Sequence, residues 1–296
     1  MKNKVSLFLD SGAYSAFTQN VTIDIQKYIS FIKQNYKYID FYANLDVLGD
    51  SDKTFQNQKI MEKAGLKPIP TFHQKEDYKY LRYYIEHYDY IALGGMVGSP
   101  SVSLRIWLDD VFSKFVCDEN GYPKVKTHAF GLTSLGFLLR YPWYSADSTS
   151  WIMTGSFGSV FVPRIKRGEY FYNKDNWKIR VSNKSPSSKE SGQHITTFSK
   201  EERKIIQTYF KDKGFVLGKS RVLKKSEDYQ LKENESWFSE ADNTGIREVE
   251  RIIEPGLCND YRLRHELNAI YFLDFEKSIL EYPWAFRLKH AKGFGL

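Results

Sequence analysis

Cysteine is nearly absent: Cys117 and Cys258 are the chain's only two. They form no Cys-x-x-Cys pair, which excludes a disulfide-stapled scaffold and a cysteine-based zinc site and argues for a reducing compartment. Long apolar runs are missing as well. The apolar stretch of "MKNKVSLFLD" before Asp10 is too short for a signal peptide or a membrane span, so the expectation is a soluble, cytoplasmic protein without a membrane partner. The chain has no internal repeat, no His-x-His and no His-Glu-x-x-His spacing. It also lacks the glycine fingerprint that follows the first strand of a dinucleotide-binding sheet, since that place reads "DSGAYSAF".

What is present is a basic, aromatic-rich chain of 296 residues, 42% hydrophobic, with a formal net charge of +7 and 21 each of Tyr and Phe. That length and apolar content supply a sizeable core. The positive charge favours a polyanionic partner such as nucleic acid without naming one. The aromatics line a groove for bases or simply fill the core; composition leaves both open.

The first half alternates short apolar runs with longer amphipathic ones, the signature of strand and helix in turn. Strands are expected at Val5–Leu9, Tyr38–Tyr42, Pro68–Phe72, Tyr90–Leu93, Val125–Phe130, Trp143–Ala146 and, as a seventh, Ser159–Val162. Helices are expected at Ile23–Ile32, Asp52–Ala64, Tyr78–His87 and Ser103–Phe115. Polar residues close nearly every strand: Asp10, Asn44 with Asp46, His73, Gly94 with Gly95, His128 and Asp147. That pattern favours a (β/α)8 TIM-type barrel, irregular if need be, whose mouth carries a site, over an open doubly wound sheet. The whole chain, 1–296, reads as one catalytic barrel domain.

Residues 164–198 read as an insertion: a β-hairpin turning around Asn173 and Lys174, then the Ser-rich loop "NKSPSSKESGQ". From Ser199, "SKEERKIIQTYFKDKG" has a serine cap, acidic residues in its first turn and a terminal glycine, so a helix is expected there. "KGFVLGKS", 213–220, is the candidate last barrel strand, and Tyr261–Leu280 a closing helix.

Asp10 and Asp147, far apart in sequence, both follow strand-like segments and would converge at one barrel mouth. Two such carboxylates divide labour: one stays ionised and attacks, the other exchanges a proton with the departing or entering group, and glycosidic carbon is the natural electrophile. The competing explanation is that aspartates after strands cap helices, a role "DSTSW" suits. Asn44 and Asp46 add a carboxylate able to accept from the ring N–H and amine of a guanine-like base. Gly94 and Gly95, with Met96 after them, let backbone approach a flat ligand, or make a tight turn. His73 and His128 join these strand ends, and with the aspartates suit a metal by ligand type, yet no spacing supports one and no metal or cofactor is assigned. His87 and His265 read as packing or surface residues; His194 and His290 receive no role. Arg164, Lys166, Arg167, Lys178 and Arg180, interleaved with Tyr170, Phe171, Tyr172 and Trp177, suit phosphate contact and base stacking, as would any solvated hairpin with one apolar face. Lys174, Lys219, Arg221, Arg287, Lys289 and Lys292 are further basic candidates.

At these residues the chain resembles the tRNA-guanine transglycosylase superfamily, and its phage-type DNA 7-deazaguanine branch most. "DSGAY", Asp10 to Tyr14, matches the family's Asp-Ser-Gly-Gly-aromatic motif with Ala13 at the second glycine, and the likeness extends over roughly residues 5 to 165. The resemblance implies Asp10 as acid/base, Asp147 as nucleophile, Asp46 as reader of the guanine edge, and Gly94 and Gly95 as backbone contacts. Ser11, Gly12, Tyr14, Asn44, His73, Met96 and His128 complete the expected substrate pocket. It further implies exchange of a guanine in nucleic acid for a free 7-deazaguanine base such as preQ0 or preQ1, through a covalent aspartyl intermediate, with no cofactor. By analogy with the family it also implies a homodimer, and action in the host cytoplasm if phage-encoded. Ser15 stands where the tRNA enzymes usually have glutamine. Their cysteine-rich zinc site has no counterpart, Cys258 being the only cysteine in that half, so DNA is favoured over tRNA. The alternatives are an N-glycosidase or hydrolase on the same barrel, a non-catalytic nucleic-acid-binding phage protein, and a metal-dependent barrel hydrolase.

Overall fold

The computed structural model describes residues 6–132, 134–184, 192–242 and 244–288. Val5, Lys289, His290, Lys292 and most of the expected 183–193 loop lie outside them. The chain divides into two compact units, Met1–Ser148 with Leu280–Leu296, and Thr149–Ile279, where the sequence reads as one domain.

In the first unit the expected alternation forms a parallel α/β layer. Strands β1 (Phe8–Leu9), β2 (Phe41–Tyr42), β3 (Thr71–His73), β4 (Tyr90–Gly94), β5 (Lys126–Ala129) and β6 (Ser145–Ala146) are separated by helices α1 (Ala13–Thr18) and α2 (Ile25–Asn35), α3 (Ser51–Lys63), α4 (Tyr78–His87), α5 (Ser101–Val111) and α6 (Leu135–Leu138). β1 pairs with β2, and β3 to β6 pair in order, all parallel; a single parallel bridge, Ala43 to Ile69, joins the two sets. Each strand therefore lies beside its sequence neighbour, without the order reversal of a doubly wound sheet. The sheet curls, for the Phe8 ring of β1 stacks on His128 of β5 with centroids 4.4 Å apart.

Helical periodicity explains how this layer is covered. α2 buries Tyr28, Ile29 and Ile32, and α5 buries Leu104, Trp107, Leu108 and Val111, each set three or four residues apart on one face. The α5 stripe joins Phe72, Ile91 and Leu93 of the strands in the larger core, where each fully buried side chain contributes about 1.5–3 kcal/mol. α5 runs on as a π-helical segment, Phe112–Val116, which ends one residue past the helix expected to Phe115.

The second unit departs from the barrel expectation. Strand β7 (Ser159–Val162) forms where expected, but it pairs antiparallel with β10 (Trp177–Arg180). The hairpin forms one turn earlier than expected, from β8 (Arg164–Lys166) and β9 (Glu169–Phe171). Arg167 and Gly168 both take positive φ, 52° and 83°, the primed-turn geometry that matches strand twist. Helix α8 (Lys200–Asp212) has the capping box expected of Ser199 and Glu202. Residues 213–220 do not make a last parallel strand: β11 (Lys219–Ser226) is an outer strand of a three-stranded antiparallel sheet with β13 (Ile246–Glu254) at its centre and β12 (Glu235–Trp237) on the far side. The closing helix α9 (Tyr261–Glu276) is shorter than expected and packs on α7 (Ser150–Ser156). Buried Asn268 donates to Trp151 O and accepts from Phe161 N, tying α9 to α7 and β7. Six sequential parallel strands, then, with antiparallel sheets after them, are what the hydrogen bonds of the described residues establish. No helix among those residues is long and apolar enough to cross a membrane.

Candidate active site

Aspartate does two different jobs in this chain. Asp24, Asp50, Asp77 and Asp260 are helix N-caps whose carboxylates accept backbone N–H groups of the first turns of α2, α3, α4 and α9. Asp10, Asp46 and Asp147 cap no helix among the described residues. α1 has Gly12 and α7 has Thr149 at the capping position, neither with a side-chain cap bond, so the capping explanation for Asp147 does not hold.

These three non-capping aspartates follow strands at the same end of the curled sheet, after β1, β2 and β6. Asp10 is open to solvent on one side, but its carboxyl is pushed above its ordinary value. Partial removal from water is the main cause, followed by the negative charges of Asp46 and Asp147, and the N–H groups of Gly12 and Ser11 only partly offset them. Asp10 thus lies within the field of both other carboxylates. Asp147, with 51% of its side chain exposed, is held asymmetrically: Gly131 N–H donates to Oδ1 at 3.0 Å, His128 Nε2 faces the same oxygen at 3.6 Å, and no hydrogen bond reaches Oδ2 among the described residues.

Asp46 is more buried and more constrained. Ser11 Oγ donates to its Oδ1 at 2.7 Å, and His73 Nε2 meets its Oδ2 at 2.9 Å. The other ring nitrogen of His73, Nδ1, meets Glu76 Oε1 at 3.0 Å, while Glu76 Oε2 accepts the backbone N–H of His73. Burial acts to lower the His73 pKa, yet the hydrogen bonds and charges of Asp46 and Glu76 outweigh it and push the pKa up to about 9. With that pKa the ring carries both protons at neutral pH, and hydrogen bonds link Ser11, Asp46, His73 and Glu76 in a continuous row. Both Asp46 oxygens keep a second lone pair for a ligand. Asp46 also lines an open cleft of about 470 Å³ walled by Phe17, Val21, Ile23, Leu48 and Ile60, which Asp10 and Asp147 do not line.

The other expected pocket residues divide. Asn44 is fully buried, its Oδ1 accepting Thr71 N–H at 3.2 Å and its Nδ2 without a partner among the described residues. Gly94 is buried against His73: a Cβ there would stand 2.7 Å from His73 Cδ2, so this glycine makes room for the histidine. Gly95, at φ +71°, is exposed beside it, whereas Met96 packs into the core. Ser11 is buried, with Oγ also accepting Ala13 N–H, Gly12 turns the chain into α1 at φ +77°, and Tyr14 is exposed on α1. Glu76, Tyr90 and Ser145 are additional members of this region that sequence reasoning did not mark; the carboxylate three residues after His73 was the available signal for Glu76. Among the described residues no group of three or more His, Cys, Asp or Glu side chains is placed to hold a metal ion.

The basic candidates belong to the second unit and are described within it. Lys166 and Arg167 are exposed at the β8–β9 turn and Lys178 on β10; the Arg164 guanidinium lies 5.1 Å over the Trp177 ring, and Arg180 pairs opposite Ser159. Searches against protein-family models, curated proteins and solved structures found nothing that matches this chain.

Proposed function

We propose that this protein is a base-exchange transglycosylase of the guanine transglycosylase superfamily, acting on DNA in preference to tRNA, in the cytoplasm. In this reading the first unit is the strand-ordered part of an irregular (β/α) barrel. One observation carries the proposal: Asp10, with a raised pKa, lies in the combined field of Asp46 and Asp147, so three non-capping carboxylates share one end of a parallel sheet. The "DSGAY" motif supports the same assignment.

The chemistry is a double displacement. A target guanine leaves its stack and meets Asp46 at its N–H edge. Asp147 Oδ2 attacks C1′ of the sugar, the C1′–N bond breaks, and Asp10 in its protonated form, which the upward shift of its pKa favours, delivers a proton to the departing guanine. The covalent aspartyl ester then meets a free 7-deazaguanine base such as preQ0. The base gives its ring proton to Asp10 and attacks C1′, and the Asp147 carboxylate departs. One C–N bond is broken and one made, protons balance, and neither a nucleoside triphosphate nor a redox cofactor enters the balance.

Exposure of Asp147 favours hydrolysis as a second reading, because water can reach an ester formed there. Incubation of guanine-containing DNA with the protein and preQ0, followed by nucleoside mass analysis, separates the two: exchange yields a deazaguanine nucleoside, hydrolysis an abasic site. Unaltered DNA under conditions where the protein binds it refutes both and leaves a non-catalytic binding protein.

A further inference from the structure

We propose that Tyr90, Ser145 and His128 form a proton-ordered relay that fixes Asp147 Oδ1 and leaves Oδ2 as the attacking atom, with His128 as the positioning residue; the inference rests on Asp147 being the nucleophile. His128 is 2% exposed, and its ring is held between Phe8, stacked at 4.4 Å, and Phe130, edge-on at 4.5 Å. Its Nδ1 meets Ser145 Oγ at 2.5 Å, and the same hydroxyl meets Tyr90 OH at 2.5 Å. Nε2 is buried and has no hydrogen-bond partner among the described residues, though Asp147 Oδ1 lies 3.6 Å away.

Proton counting decides the direction. Each hydroxyl has one proton to donate. Burial pushes the Tyr90 phenol up to about 12 despite its bond to Ser145, so it keeps its proton, and in the proposed order it gives that proton to the bond with Ser145 Oγ. Ser145 then donates to His128 Nδ1, which places the ring's N–H on Nε2, facing Asp147. The reverse order would aim an Nε2 lone pair at a carboxylate from a buried apolar cage and would leave Tyr90 to find another acceptor. A buried N–H left unpaired costs about 1–3 kcal/mol, and closing 3.6 Å to hydrogen-bond distance removes that cost with a shift under about 1 Å.

The consequence concerns the nucleophile. Gly131 N–H and His128 Nε2–H converge on Oδ1, which becomes the carbonyl oxygen of the covalent ester. Two donors on that oxygen orient Oδ2 toward C1′ in the first step and receive returning charge when the incoming base displaces the carboxylate.

Two measurements on the full chain test this. With 15N-labelled histidine, His128 should appear as the neutral Nε2–H tautomer, and Ser145→Ala should disturb that state while Ser145→Thr, which keeps the hydroxyl, should preserve it. An Nδ1–H tautomer in the wild type, or nitrogen shifts indifferent to Ser145→Ala, overturns the relay. In single-turnover formation of the covalent adduct with a guanine-containing oligonucleotide, Ser145→Ala and Tyr90→Phe should slow the reaction by about 10- to 100-fold with oligonucleotide affinity unchanged. Adduct formation at the wild-type rate in both variants also overturns it. A wild type that forms no adduct removes the base-exchange reading instead, and the tautomer spectra still decide whether the relay exists.

Discussion

His73 keeps its proton well above the usual histidine range because Asp46 and Glu76 grip both ring nitrogens, and this has a definite pH signature. Its pKa is about 9 in the folded protein, raised from an unfolded value of about 6.5. Its contribution to stability is therefore full below the unfolded value and is lost as pH rises through about 9. Chemical denaturation across that window should show the decline, and Glu76→Gln should flatten it while costing about 1–3 kcal/mol at neutral pH. Asp10 carries the same sign with a different meaning. A raised carboxylate pKa means that the ionised side chain burdens the fold at neutral pH, so Asp10→Asn should raise the melting temperature there, and the gain should vanish below the ordinary aspartate pKa, where both forms are neutral. A variant less stable than the wild type at pH 7 would contradict the crowding of carboxylates around Asp10. The three aspartates were legible in the sequence because a carboxylate interrupting the end of an apolar run stands out. Tyr90 and Ser145 were not, since inside strands they look like ordinary strand residues, and Glu76 was hidden in the polar turn "HQKEDY".

At the scale of elements, β3 and β4 are fitted to each other at the site. His73 and Gly94 are register partners, and the histidine ring occupies the space a Cβ would take. Gly94→Ala should cost about 1–3 kcal/mol through overpacking and, by displacing the ring from Asp46, should bring the His73 pKa down; histidine titration by NMR checks the second effect independently of the first. Strand and helix positions in the first unit were readable because period-2 and period-3.6 patterns alternate cleanly, and Tyr78–His87 formed with the bounds expected. The later strands were not. β11 is mostly exposed and crowded with Lys and Arg, and the glutamates opposite it, such as Glu250 beside Val222 and Glu248 beside Lys224, lie on a strand more than 20 residues on. Pairing of that kind is a property of two segments and cannot be read from either one. The hairpin turn was misplaced for a local reason: Asn173–Lys174 is a commoner turn signal than Arg167–Gly168, yet the latter has the positive φ angles.

For the whole molecule the dominant sequence-level quantity is a net charge of +7. If nucleic acid is the partner, the logarithm of the affinity should fall linearly with the logarithm of salt concentration, by about 0.9 per phosphate neutralised. Exposed Lys166 and Arg167 at the hairpin turn are the direct test: replacing both with alanine should weaken DNA binding and reduce the slope by about 1 for each phosphate no longer neutralised, without changing the order of preference among sequences. An unchanged slope would remove the hairpin from the interface.

The most direct experiment is to trap the protein with a guanine-containing DNA oligonucleotide and locate the attached residue by peptide mass spectrometry, beside Asp147→Asn as control. Base exchange at this site requires a single sugar-linked adduct on Asp147 that the Asn variant cannot form. An adduct on another residue, or one that persists in the variant, would rule out Asp147 as the nucleophile.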